Sequence, residues 1–164
     1  MSDLLNTGLF VMDFARRATL GFLDGIEGED LVRAFAEGGS HAAYIAGHIA
    51  FTDDMTLKML AHRDPTLTEA QQKLFDGRVT PSNSQSDYPA KQEILSVMAA
   101  VREDLIGYFS GLSNAELTAP VEGPLAQFGD TRAKLMASIA WHEGMHAGQL
   151  TVIRRQLGLP RVFG

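Results

Sequence analysis

The segment that decides the reading of this chain is Trp141-His142-Glu143-Gly144-Met145-His146-Ala147-Gly148-Gln149-Leu150. It sits on a longer stripe of Leu135, Ile139, His142, His146, Leu150, Ile153 and Leu157, whose members follow one another by threes and fours. That is the period of a buried helix face. Side chains four apart on a helix stand one turn above each other, with Cβ atoms roughly 5–6 Å apart, so both imidazoles can reach one metal ion. Five histidines in 164 residues make such a spacing a common coincidence, and the apolar stripe is what gives it meaning. Imidazoles among Leu and Ile need polar partners. These are either a shared metal taking one nitrogen of each ring, or backbone and carboxylate hydrogen bonds.

Three more helical blocks lie upstream. The first, Ser2 to Asp24, opens on a Ser that can cap, carries Leu5, Leu9, Met12 and Leu20 with Phe10 and Phe14 beside them, and ends at Gly25 and Gly28. The second runs from Ser40, an N-cap after Gly38-Gly39, to Arg63 before Pro65. Its inward line is His41, Ile45, His48, Thr52, Met55, Met59 and His62. The third opens at Pro89 and buries Ile94, Val97, Met98, Val101, Leu105 and Phe109 until Gly111. The last begins near Asp130-Thr131 and ends with Gly158 past its final turn and Pro160 beyond.

The connection from Asp64 to Tyr88 holds a capping box, Thr68 to Gln71, for a short helix to Phe75, then a polar Pro81-Ser82-Asn83-Ser84 stretch. Extended, it spans ~80 Å at about 3.3 Å per residue, ample to return along a ~36 Å helix and let the second and third helices run parallel. Leu112 to Asp130 reads as an irregular connector. Strand signals are nearly absent, so the fold expected is an all-α four-helix bundle with a long crossover between helices two and three, in one domain over residues 1–164.

Composition narrows the function classes. Apolar residues make up 45% and charged residues 21%, as in a globular protein. The absence of cysteine removes disulfides and thiolate zinc sites, leaving His, carboxylate or water to hold any metal. With net charge −6 and only Arg154-Arg155 and Arg161 clustered, at the end of the last helix where cations complement the dipole and sit in water, nucleic-acid binding is not expected. The N-terminus lacks a signal-like pattern, and no run approaches the ~20 apolar residues of a membrane span, so a cytoplasmic, membrane-free protein is expected.

His142-Glu143-Gly144-Met145-His146 also matches the H-E-x-x-H signature of zinc peptidases, with Glu143 as the base. Those enzymes need a third ligand, and no His, Asp or Glu follows His146. The remaining histidines, His41, His48 and His62, all fall in the second block. His48 is central and on the apolar line; His41, the next candidate, and His62, a helix-dipole residue, lie near the ends, which are usually wet. Three neutral imidazoles leave positions open for water or substrate, the mark of a catalytic site, and suit Zn²⁺, Ni²⁺ or Fe²⁺.

These residues resemble the DinB/YfiT-like superfamily of metal-dependent bundle enzymes, whose last helix carries H-x-x-x-H-x-G-Q before a basic pair and Leu-Gly-x-Pro. Here the pattern reads His142, His146, Gly148, Gln149, Arg154-Arg155 and Leu157-Gly158-Leu159-Pro160. The superfamily's third ligand, a His in the middle of helix two, matches His48 in Ile45-Ala46-Gly47-His48-Ile49-Ala50. The resemblance implies a bundle with one divalent metal per chain, often homodimeric, whose relatives include transferases and isomerases using a low-molecular-weight thiol such as mycothiol or bacillithiol. Tyr44, one turn before His48, either contacts the metal-bound water or fills space. Glu143 either orients a ligand or is a solvated charge, Gln149 is placed to hydrogen-bond in the pocket, and Gly148 to permit close helix approach.

The function expected is a metalloenzyme that activates water or a thiol for hydrolysis or group transfer on a small molecule, a thiol-dependent S-transferase being one such chemistry. Its rival is a non-catalytic metal- or ligand-binding bundle. No residue beyond the three ligands is assigned a catalytic role, and no motif names the substrate.

Overall fold

The computed structural model describes residues 3–163; the capping role expected of Ser2 lies outside them. Four long helices, α1 (Asp3–Leu23), α2 (Ala42–Ala61), α4 (Lys91–Ser110) and α6 (Arg132–Gln156), form the body, with short helices α3 (Glu69–Phe75) and α5 (Asn114–Thr118) in the connections. No strand occurs among the described residues, beyond a single bridge between Pro120 and Thr131.

α1 packs chiefly against α6, and α2 chiefly against α4. Gly8 meets Met136, Arg16 meets Glu143, and the Phe22 carbonyl meets Arg154, so α1 and α6 run in the same direction. Arg102 on Asp53 and Tyr108 on the Leu60 carbonyl give the same answer for α2 and α4. Arg16 reaches the Met98 carbonyl while Arg102 reaches that of Met12, which sets the two pairs antiparallel. A parallel α2 and α4 require the long crossover between them, as the loop length anticipates.

The crossover is anchored at both ends of its first half. Asp54, fully buried, accepts from the backbone of Thr66 and Leu67 and from Arg63, turning the chain out of α2. The Thr68–Gln71 capping box then starts α3. Gly47 lets α3 land on α2, because a Cβ there would stand 2.1 Å from the Phe75 ring.

Several expectations are corrected. Phe10, Phe14 and Leu20 are 61%, 54% and 41% exposed, and the buried face of α1 is Leu5, Gly8, Met12, Ala15, Arg16, Thr19 and Leu23. Gly8 lets α6 come close to this face, because a Cβ there would stand 2.5 Å from Met136. Met59 is exposed. His41 rather than Ser40 caps α2, and it is fully buried instead of wet. The 112–130 connector is partly ordered, α5 starting at a Ser113–Glu116 capping box. Arg154 is buried, its guanidinium holding the carbonyls of Phe22, Asp24 and Pro160 and so tying α6 to the end of α1.

The apolar core falls into two clusters. One gathers Ile45, Ile49, Met98, Val101 and Leu150; the other gathers Met12, Leu57, Leu105, Phe109 and Met136. Between them lie four buried charges, Arg16, Asp53, Arg102 and Glu143.

Candidate metal centre

His48, in the first half of α2, faces His142 and His146 across the boundary between the helix pairs. One nitrogen from each ring lies within 4.8 Å of the others. Ring centroids are 5.3 Å apart for His48 and His142, 5.0 Å for His48 and His146, and 4.6 Å for the α6 pair. His146 is buried, and His48 and His142 are half-buried.

Hydrogen bonding decides which nitrogen two of the rings offer. Nδ1 of His48 is 2.9 Å from the Phe75 carbonyl, which can only accept, so Nδ1 carries the proton and Nε2 presents a lone pair. Nδ1 of His146 likewise donates to Gln149 Oε1 at 2.7 Å, leaving its Nε2 bare. That nitrogen stands 3.1 Å from Nε2 of His142. Two nitrogens bound at about 2.0–2.1 Å to one tetrahedral ion would be ~3.3 Å apart, so the α6 pair is spaced for a shared cation.

The electrostatics favour the lone-pair form. Burial, reinforced by His146 and His48, lowers the pKa of His142 from 6.5 to about 4. Burial also lowers that of His146, against the opposing Gln149 hydrogen bond. These rings are neutral near pH 7, the state a metal requires.

The crossover closes the site on the His48 side. Tyr44 stacks on His48 at 5.7 Å and donates its hydroxyl to the Asp76 carbonyl at 2.9 Å, so it packs and tethers. Burial raises its pKa, with Asp76 adding to the effect. Gly77 lies against the imidazole, where a Cβ would stand 3.0 Å from Cε1 of His48. Gln149 sits on His146 as the i,i+3 spacing suggests. Gly148 does not mediate close approach, since a Cβ there would meet nothing within 4 Å.

His41 and His62 stay apart from the three. His41 accepts from the Tyr44 backbone and faces the Ser82 carbonyl at 2.9 Å, which explains its burial at a helix start. His62 ends α2 in the left-handed conformation, exposed.

Glu143 is neither solvated nor on an imidazole. It is fully buried, with Oε1 2.7 Å from Arg16 and Oε2 2.6 Å from Arg102. With both oxygens committed, it has no free edge for the peptidase role. Sequence reasoning missed its partners Arg16 and Arg102, and Asp53, which shares them. Their signal was there: each occupies a stripe position, in Met12-Arg16-Thr19-Leu23, Ala50-Asp53-Leu57 and Met98-Arg102-Leu105-Phe109.

A cleft of about 340 Å³ opens beside His48 and His146, lined also by Ser40, Tyr44, Arg78, Thr80 and Pro81. Among the described residues no helix is long and apolar enough to cross a membrane.

The family model described as the DinB superfamily matches residues 12–150 of the chain. A crystal structure of a conserved protein from Enterococcus faecalis is similar in fold, with a TM-score of 0.76 at 18% identity over 94% of this chain and 97% of that one. No curated protein matches the chain in sequence.

Proposed function

The chain belongs to the DinB superfamily, and from that premise we propose that it is a metal-dependent enzyme of small-molecule chemistry holding one divalent ion between His48, His142 and His146. The observation that carries the reading is the pair of fixed tautomers, which leave Nε2 of His48 and of His146 unprotonated beside Nε2 of His142. A nitrogen-only set suits Zn²⁺, Ni²⁺ or Fe²⁺, and three protein ligands leave a position for water or substrate. When bound, such an ion brings the pKa of water or a thiol toward neutrality, or polarises a carbonyl.

The chain's own residues supply position and selection. Phe75 and Gln149 hold two imidazoles by their far nitrogens, which fixes ring orientation and raises ligand basicity. The cleft of about 340 Å³ suits a small molecule rather than a polypeptide. Arg78 places a cation at its edge and holds the Asp76 carboxyl down at about 2. Thiol-dependent group transfer, a low-molecular-weight thiol as co-substrate and a homodimer are what the superfamily resemblance adds, hydrolysis being the chemistry of an activated water.

A second reading, metal or ligand binding without turnover, has one observation in its favour. The titratable side chains adjoining the triad are already engaged: Tyr44 with the Asp76 carbonyl, Asp76 with Arg78, and Glu143 with two arginines. Screening the zinc, nickel and iron forms against thiols paired with electrophilic substrates separates the two. Turnover that disappears in His48→Ala supports the enzyme; stoichiometric metal with no turnover in any form supports the binder. Chelation should leave the bundle folded, because neither apolar cluster includes the imidazoles.

A further inference from the structure

The ligands are divided between two helix pairs, His48 on the α2/α4 pair and His142 with His146 on the α1/α6 pair. Any slip between the pairs would carry His48 away from the other two. At the level where slip would occur, one charged residue from each long helix enters a closed ring. Arg16 joins its own pair through Glu143 at 2.7 Å and crosses to Asp53 at 3.0 Å. Arg102 joins its own pair through Asp53 at 2.8 Å and crosses to Glu143 at 2.6 Å. Two further bonds cross the boundary, from Arg16 to the Met98 carbonyl at 2.6 Å and from Arg102 to that of Met12 at 3.0 Å.

We propose that this ring is a registry device for the histidine site, fixing the α2/α4 pair against the α1/α6 pair so that three imidazoles from different pairs converge. It deepens the metal-site reading and rests on it. Stability alone does not account for such a ring, because well-packed apolar residues in place of buried ion pairs are often neutral or stabilising. What an apolar layer cannot supply is direction. Leu and Met slide past one another, whereas each guanidinium fork here accepts one axial and one rotational setting.

The location supports the same role. The ring separates the two apolar clusters, and Glu143 lies between the two α6 ligands, next to His142. Two guanidiniums balance two carboxylates, so the register is set without net charge beside the cation. The four residues are positioning residues; none touches an imidazole.

The test replaces the ring in two ways. One variant, Arg16→Met with Asp53→Leu, Arg102→Met and Glu143→Leu, makes the layer apolar; the other, Arg16→Gln with Asp53→Asn, Arg102→Gln and Glu143→Gln, keeps polar side chains and removes all four charges. Thermal unfolding, Co²⁺ and Zn²⁺ affinity, the Co²⁺ ligand-field spectrum and a metal-free crystal structure are compared with wild type. The expected result is cooperative unfolding in a folded variant, affinity weakened on the order of 10-fold or more, an altered spectrum and a wider spacing of the three nitrogens. Wild-type affinity, spectrum and spacing in either folded variant overturn the proposal. Failure of both variants to fold also overturns it, by making the ring a stability element. If wild type binds no Co²⁺ the metal reading fails by itself, and nitrogen spacing in the crystals still decides the registry claim.

Discussion

At His48 three constraints meet: the Phe75 carbonyl on Nδ1, the Tyr44 ring on one face and Gly77 against Cε1. The ring is held by groups far along the chain, which is why its position in the helix was legible and its orientation was not. The α6 pair and Gln149 were legible because i,i+3 and i,i+4 neighbours are local facts of a helix. Gly77 carries no local signal; its need to lack a Cβ arises only when the crossover returns to α2. Gly77→Ala should therefore push the imidazole aside and weaken Zn²⁺ binding about 10-fold in a calorimetric titration, while Gly148→Ala, facing open space, should leave affinity unchanged. Equal effects of the two substitutions would contradict this account of His48. Glu143 makes the same point about distance, since its alternatives are resolved by Arg16, 127 residues away.

Among the elements, α2, α4 and α6 were legible from periodicity, and α1 was legible as a helix whose Leu5 and Met12 are buried as expected and whose Leu20, Phe10 and Phe14 are not. Its aromatics Phe10 and Phe14 stack on each other in solvent, while Met12 is fully buried. Met12→Ala should cost about 2–5 kcal/mol in urea unfolding, as for other large-to-small core changes. Phe10→Ser should stay within about 0.5 kcal/mol. The reverse order would contradict this assignment of the buried face of α1. In α1, α2 and α4 the charged member of the stripe was passed over for the same reason: a lone Arg or Asp at an apolar position reads as an exception until its partners arrive from other helices. The crossover shows the opposite case, because the Thr68–Gln71 box is local and its helix forms where the sequence puts it.

For the whole molecule, the bundle is two parallel helix pairs set antiparallel, joined by a charged ring and a histidine triad. Breaking the ring on one side only, as in Glu143→Ala, leaves two buried guanidiniums short of a partner and should cost about 3–5 kcal/mol in chemical denaturation; a loss below about 1 kcal/mol would mean that the ring is not closed in solution. His142 and His146, whose pKa values burial lowers, contribute to the acid response of the metal-free protein. His142 binds its proton near 6.5 when unfolded and near 4 when folded. Between those values the unfolded chain holds the extra proton, so stability is fully present above about pH 6.5 and is lost as pH falls toward 4. Unfolding midpoints taken across that window should fall with acid, and the fall should become shallower in His142→Ala, His146 keeping part of it.

The most direct measurement is a calorimetric and elemental titration of the metal-free protein with Zn²⁺ near pH 7, beside His48→Ala and His146→Ala. Saturation at one ion per chain, abolished in both variants, is the outcome the convergence of the three imidazoles requires. A wild-type chain that takes up no ion, or variants that bind as wild type does, would contradict it.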